Sequence, residues 1–63
     1  MFKVQIGNME TLCDDIDDAM NMCFMIFTDA AFSWWNSYQQ TSWLDVYASE
    51  DDHTIVGKIF ELE

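Results

Sequence analysis

The hydrophobic period of this chain changes twice, and that alternation constrains the fold more than any other feature. Phe2, Val4 and Ile6 alternate with Lys3, Gln5 and Gly7, the period of two expected of a short half-buried strand, which Gly7-Asn8 ends. From Met9 the spacing becomes three or four: Met9, Leu12, Cys13, Ile16, Met20, Cys23, Phe24, Phe27 and Ala31 share one face of an α-helix. Asn8 is a suitable N-cap, and Thr11 followed by Asp14 offers a second, capping-box-like start. Asp14, Asp15, Asp17 and Asp18 crowd the N-terminal half, where the helix macrodipole tolerates negative charge. The spacing therefore predicts one long helix. Period two returns in Trp43 to Ala48 and Thr54 to Leu62, separated by Glu50, Asp51, Asp52 and His53, which reads as a hairpin. The intervening Phe32 to Ser42 contains Trp34, Trp35 and Tyr38 but ends in a Gln-Gln-Thr-Ser run, and is read as a frayed helix end and a loop.

A four-residue loop from Glu50 to His53 sets Ser49 opposite Thr54, hence Asp45 opposite Lys58 and Trp43 opposite Phe60, both favourable cross-strand pairs. Leu44, Val46, Ala48, Ile55 and Ile59 then share the face that takes the helix. A slip by one residue would oppose Lys58 to Leu44. The expected fold is α+β: a β-α-β-β unit, one domain over residues 1–63, with a three-stranded antiparallel sheet of order 1-3-2 and the helix on one face.

That architecture leaves apolar surface uncovered. Met22 and Met25 lie off the helix stripe, with Ile26 and Phe32, and the far face of the sheet shows Trp43, Tyr47, Val56 and Phe60. A chain of 63 residues buries only roughly 60% of the surface its unfolded form exposes. A homodimer through the aromatic sheet face is an economical remedy, and a structural or oligomerisation module is the alternative reading of function.

Twelve Asp and Glu against two Lys and no Arg give a net charge of −10, while 51% of residues are hydrophobic, too many for a disordered chain. Such a field opposes direct contact with nucleic acid or anionic lipid, which need Lys and Arg to displace counterions, and favours basic partners. Cys13 and Cys23, ten residues apart on one predicted helix, would stand about 15 Å apart, beyond disulfide reach. Free thiols, no signal-like N-terminus and a longest apolar run of only Met22 to Phe27 lead to the expectation of a cytoplasmic protein that does not enter membranes.

No catalytic constellation is expected. His53 is the sole imidazole and sits beside three carboxylates that favour its cationic form, the wrong state for a base. Glu50 to His53 lacks the spacing and Gly of a Ca²⁺ loop, and the cysteines lack zinc spacing. Neither a metal nor another cofactor is implied. Gly7 and Gly57 stand alone, so a phosphate-binding glycine loop is absent as well.

The sharpest positive feature is acidic. Asp14 and Asp18, four apart on the predicted helix, repel each other, with Asp15, Asp17 and Glu10 beside them, and Glu50, Asp51 and Asp52 form a second cluster. A row of carboxylates on a rigid rod can stand in for a phosphate backbone in a Lys/Arg groove. In its length, its Asp14-Asp15-Ile16-Asp17-Asp18 cluster and its Glu50-Asp51-Asp52 loop, the chain resembles the small acidic inhibitors that phages encode, anti-CRISPR proteins and DNA mimics among them. The resemblance implies a non-enzymatic protein, often dimeric, that blocks a nuclease or other nucleic-acid-binding protein stoichiometrically in the host cytoplasm.

Overall fold

The computed structural model describes residues 1–62. Its elements run β1 (Phe2–Ile6), β2 (Met9–Cys13), α1 (Ile16–Ile26), β3 (Ala31–Phe32), β4 (Asn36–Tyr38), β5 (Thr41–Ser49) and β6 (Asp52–Glu61). The strands form one six-stranded antiparallel sheet of order β2-β1-β6-β5-β3, with β4 also pairing β5. The expected three-stranded sheet with one long helix is therefore incorrect. Its three strands are present, adjacent in the expected order at the centre of the sheet, but each edge gains a strand and the helix shrinks to 11 residues.

The first error lies at Gly7-Asn8. These residues do not lead into a helix; they are the two-residue loop of a hairpin in which Ile6 faces Met9. Gly7 has φ +58° at the first loop position, whereas Asn8 has no positive φ, the pattern of a type II′ turn. The chain then returns as β2, with Met9, Thr11 and Cys13 on the side of Ile6, Val4 and Phe2. Met9, Leu12, Cys13 and Ile16 match the helical i, i+3, i+4, i+7 template by coincidence. Leu12, expected in the core, is instead 60% exposed, opposite Lys3.

The helix begins at Asp15, not Asn8. The Asp18 amide donates to Asp15 Oδ1 at 2.8 Å, and Asp17 and Asp18 occupy the first turn. At the other end the amide of the extended Phe27 donates to the Cys23 carbonyl at 2.7 Å, and a turn follows in which the Ala30 amide donates to the Phe27 carbonyl at 3.0 Å. Phe32 to Ser42, expected to be a fraying end and loop, supplies β3, β4 and the start of β5.

The β5–β6 hairpin keeps the predicted register over its first half: Trp43 faces Phe60, Leu44 faces Ile59 and Asp45 faces Lys58. Two irregularities then shift it, so that Tyr47 faces Ile55 and Ser49 faces Asp52. The loop is Glu50-Asp51, two residues rather than four. The shift moves Ile55 onto Tyr47's side, where it is 49% exposed, instead of the helix-facing side.

Val4, Leu44, Val46 and Ile59 from the sheet and Ala19 and Cys23 from the helix are the centre of the core, joined by Cys13 and Ala30. Met22 and Val56, expected outside it, pack against this cluster. Gly57 of β6 lies between β1 and β5, its α-carbon facing Ile6 on one side and Val46 on the other.

Candidate functional site

The acidic residues do not form the single helical row that the sequence suggested. Glu10 is on edge strand β2, Asp14 precedes the helix, Asp15 caps it, and only Asp17 and Asp18 are helical. The supposed Asp14–Asp18 helical repulsion is absent for that reason, and three of these carboxylates have a local structural role at the helix start. The second cluster sits at the far end of α1: Glu50 and Asp51 line an open hollow of about 410 Å³ together with Phe24, Thr28 and Asp29. Asp29 was not singled out from sequence, because nothing in its neighbours reveals that the hairpin tip folds against it. Asp52 turns away into the first bend of β6, where the Thr54 amide donates to its Oδ1 at 2.9 Å. Hydrogen bonding from Thr54 holds the Asp52 carboxyl below its usual range. An 11-residue helix spans about 16 Å, so α1 separates two acidic poles.

Between the poles lies an apolar groove. Met20 from the middle of α1, Phe32 and Leu44 from the sheet, and Trp34 and Trp35 from the β3–β4 connection enclose about 330 Å³. Aromatic contacts continue it in both directions: Phe32 meets Phe24 edge-on with ring centres 5.5 Å apart, and Trp35 leans on Phe2 at 6.1 Å. Trp34 itself is 89% exposed and Met25, further along the helix, 87%. The segment holding Trp34 is not loose. Ser33 ties it down: its hydroxyl donates to the Trp34 carbonyl at 2.9 Å and accepts from the Asp45 amide at 2.9 Å, while its own amide donates to the Asp45 carbonyl at 3.0 Å. Asn36 Nδ2 completes the knot by donating to Asp45 Oδ2 at 3.3 Å. An exposed indole on a tied-down backbone is a suitable interface anchor, because little main-chain freedom remains to be lost on binding. Sequence reasoning placed Trp34 in a loop and missed it as a site; the Ser-Trp-Trp-Asn string is the only local signal.

The opposite face of the sheet is open and differently charged. Lys3 and Lys58, the only lysines in the chain, both point onto it, Lys3 Nζ lying 5.0 Å from the Phe60 ring centre and Lys58 Nζ 5.5 Å from that of Trp43. Lys58 thus serves Trp43 by a cation–π contact, while Asp45 across the ladder takes Asn36. Trp43 and Phe60, predicted to lie exposed there, are half-buried beneath these lysines, and Tyr47, predicted with them, is half-buried as well. His53 stands edge-on to Tyr47 with ring centres 6.5 Å apart.

The two thiols are both free and buried. They do not share a helix, so the 15 Å separation expected for them does not apply. Burial, followed by Asp18, Asp14 and Asp15, raises the Cys13 thiol; burial, followed by Cys13, pushes Cys23 up to about 11. Neutral, shielded thiols of this kind are poor nucleophiles. Among the described residues, no group of three or more His, Cys, Asp or Glu side chains is placed to hold a metal ion, and no helix is long and apolar enough to cross a membrane.

Fold and surface together define a small two-faced α+β protein: an acidic face with an aromatic groove on the helix side, and a charge-balanced aromatic face on the sheet. No family model, curated protein or solved structure matches the chain.

Proposed function

We propose that this is a non-enzymatic acidic binding protein whose helix side docks on a basic groove of a nuclease or other nucleic-acid-binding protein and occupies it, as DNA mimics and anti-CRISPR inhibitors do. The sorting of charge by face carries the reading. Both lysines lie on the open sheet face, whereas the helix side presents carboxylates at each end of α1 and, between them, an almost fully exposed Trp34 on a tied-down backbone. A partner on that side needs Lys or Arg for the two poles and an apolar recess for the indole. Acidic poles alone would give fast but loose association; the desolvated aromatic supplies residence time.

The test uses immobilised protein and a bacterial lysate, with the retained protein identified and purified. A basic nucleic-acid-binding protein should be held at low salt, released as salt rises, and displaced by its own nucleic acid. Trp34→Ala should weaken the purified complex by at least about 2 kcal/mol, some 30-fold, with the fold intact. Asp17→Asn combined with Asp51→Asn should slow association and flatten its salt dependence. A complex indifferent to all three substitutions, or one in which the captured protein still binds nucleic acid with undiminished affinity, would refute the proposal.

A further inference from the structure

The open face of the sheet carries an independent inference about a second copy of the chain. A continuous row crosses the whole sheet: Leu12 faces Lys3, Lys3 faces Phe60, Phe60 faces Trp43, and Trp43 faces Asn36. Beside it runs a second row, Glu10 to Gln5 to Lys58 to Asp45. Side chains directly opposite in register share a face, so the charges of these two rows are Lys3 and Lys58 against Glu10 and Asp45. They cancel, on a molecule whose net charge is −10.

Two copies approaching by any acidic surface repel each other. By this face the repulsion is least, because Lys3 and Lys58 offset Glu10 and Asp45 there, with half-buried Trp43 and Phe60 at the centre and exposed apolar side chains at the rim: Leu12 on edge strand β2, Ile55 beyond the register shift, and Tyr38 near the other edge. The whole molecule extends 30 × 21 × 21 Å, so its broadest side projects at most about 600 Å² per copy, a ceiling of roughly 1,200 Å² in total against the ~1,000 Å² that a specific interface needs. The margin is small, so the pair requires the rim residues as well as the centre.

We infer that this sheet face is a homodimer interface, with two copies meeting back to back and each helix side turned outward. The arrangement presents two acidic grooves on opposite sides of one particle. It also has a salt dependence opposite in sign to that of a basic partner: the interface is neutral but the bodies it joins are both strongly negative, so salt screens their repulsion and tightens the dimer.

The experiment is sedimentation equilibrium of the purified chain up to about 200 µM, a range over which weak self-association is read from the concentration dependence. It is run at about 20 mM and about 500 mM salt. Expected is a monomer–dimer equilibrium that tightens with salt. Leu12→Thr with Ile55→Thr, two exposed positions changed without altering charge, should raise the dissociation constant at least about tenfold, with far-UV circular dichroism confirming an unchanged fold. Met25→Thr, on the helix side, should leave it as it is. A monomer under all conditions, an association that weakens with salt, one untouched by the Leu12→Thr and Ile55→Thr pair, or one broken by Met25→Thr would each overturn the inference. None of these outcomes bears on whether the helix side binds a basic target, since capture and displacement are measured separately.

Discussion

Gly57→Ala tests the packing on which both faces depend. A Cβ built at Gly57 would lie 2.6 Å from the Gln5 backbone oxygen, 2.7 Å from Ile6 Cγ1 and 3.3 Å from Ile6 Cα. Unstrained contacts between carbon atoms lie near 3.5–4.0 Å, so the new methyl is roughly 0.8 Å too close to Ile6 Cγ1, and the Gln5 oxygen is closer still. Ile6 can turn aside, but Gln5 cannot: it is in the middle of β1, paired to Glu10 on one side and Lys58 on the other. Accommodating the methyl means separating β1 from β6. Overpacking of this kind costs about 1–3 kcal/mol, and a backbone obstacle puts the substitution at the upper end. For a domain of this size each kcal/mol lowers the midpoint by about 4–8 °C, so a fall of some 10–20 °C is expected in thermal melts followed by far-UV circular dichroism. Gly7→Ala is the informative contrast. Nothing lies within 4 Å of a Cβ there, yet φ is +58°, so its cost is the 1–2 kcal/mol or so of a left-handed L-residue. Gly7→Asn should recover part of that loss, whereas truncating Ile6 in the Gly57→Ala background should not restore stability. A Gly57→Ala protein melting within about 2 °C of the parent would refute the close approach of β1 and β6.

Two further outcomes follow from the helix and the thiols. Asp15→Ala should cost about 1 kcal/mol by removing the acceptor of the Asp18 amide, and Asp15→Asn should retain most of it, as read by urea unfolding. Cys23 rises from 9.0 to about 11 on folding; a raised folded value means the stabilisation is complete below the unfolded value and is lost as pH climbs through the folded one. Stability should therefore drop between pH 9 and about 11, by up to about 2–3 kcal/mol, and Cys23→Ala should reduce that limb without abolishing it, because the Cys13 thiol is raised too.

The central sheet was legible because both determinants of β-structure agree there. Alternation in Phe2 to Ile6 and Trp43 to Leu62 fixed the faces, and the Asp45–Lys58 and Trp43–Phe60 pairs fixed the register of the hairpin's open half. The closed half was not legible, since no residue type announces the shifts near Val56 and His53 that shorten the loop to Glu50-Asp51. The helix start was misplaced because Met9 to Cys13 fits both periods; Gly7-Asn8, a good hairpin dipeptide, was the deciding signal, and its Gly is what the positive φ requires. The acidic clusters were legible as composition but not as a surface. Only the fold reveals that Asp15 is occupied as a cap, that Asp29 joins Glu50 and Asp51, and that an exposed tryptophan stands between the poles.

The small helix and the large sheet explain why such a chain has two unlike faces. Eleven helical residues can cover only part of one side of six strands, so the helix side keeps a groove beside Met20, and among the described residues no layer covers the other side. Ion pairing cannot neutralise the excess charge, because two lysines face twelve acids. Placing both lysines over the rings of Phe60 and Trp43 concentrates the available cations where their stems shield aromatic surface, at the cost of leaving the helix side unopposed. That distribution ties the two proposals together while keeping them separable: the same two lysines that make the sheet face neutral enough for a second copy leave the helix side negative enough for a basic one. Salt then acts on the two surfaces in opposite directions, tightening the first contact and loosening the second.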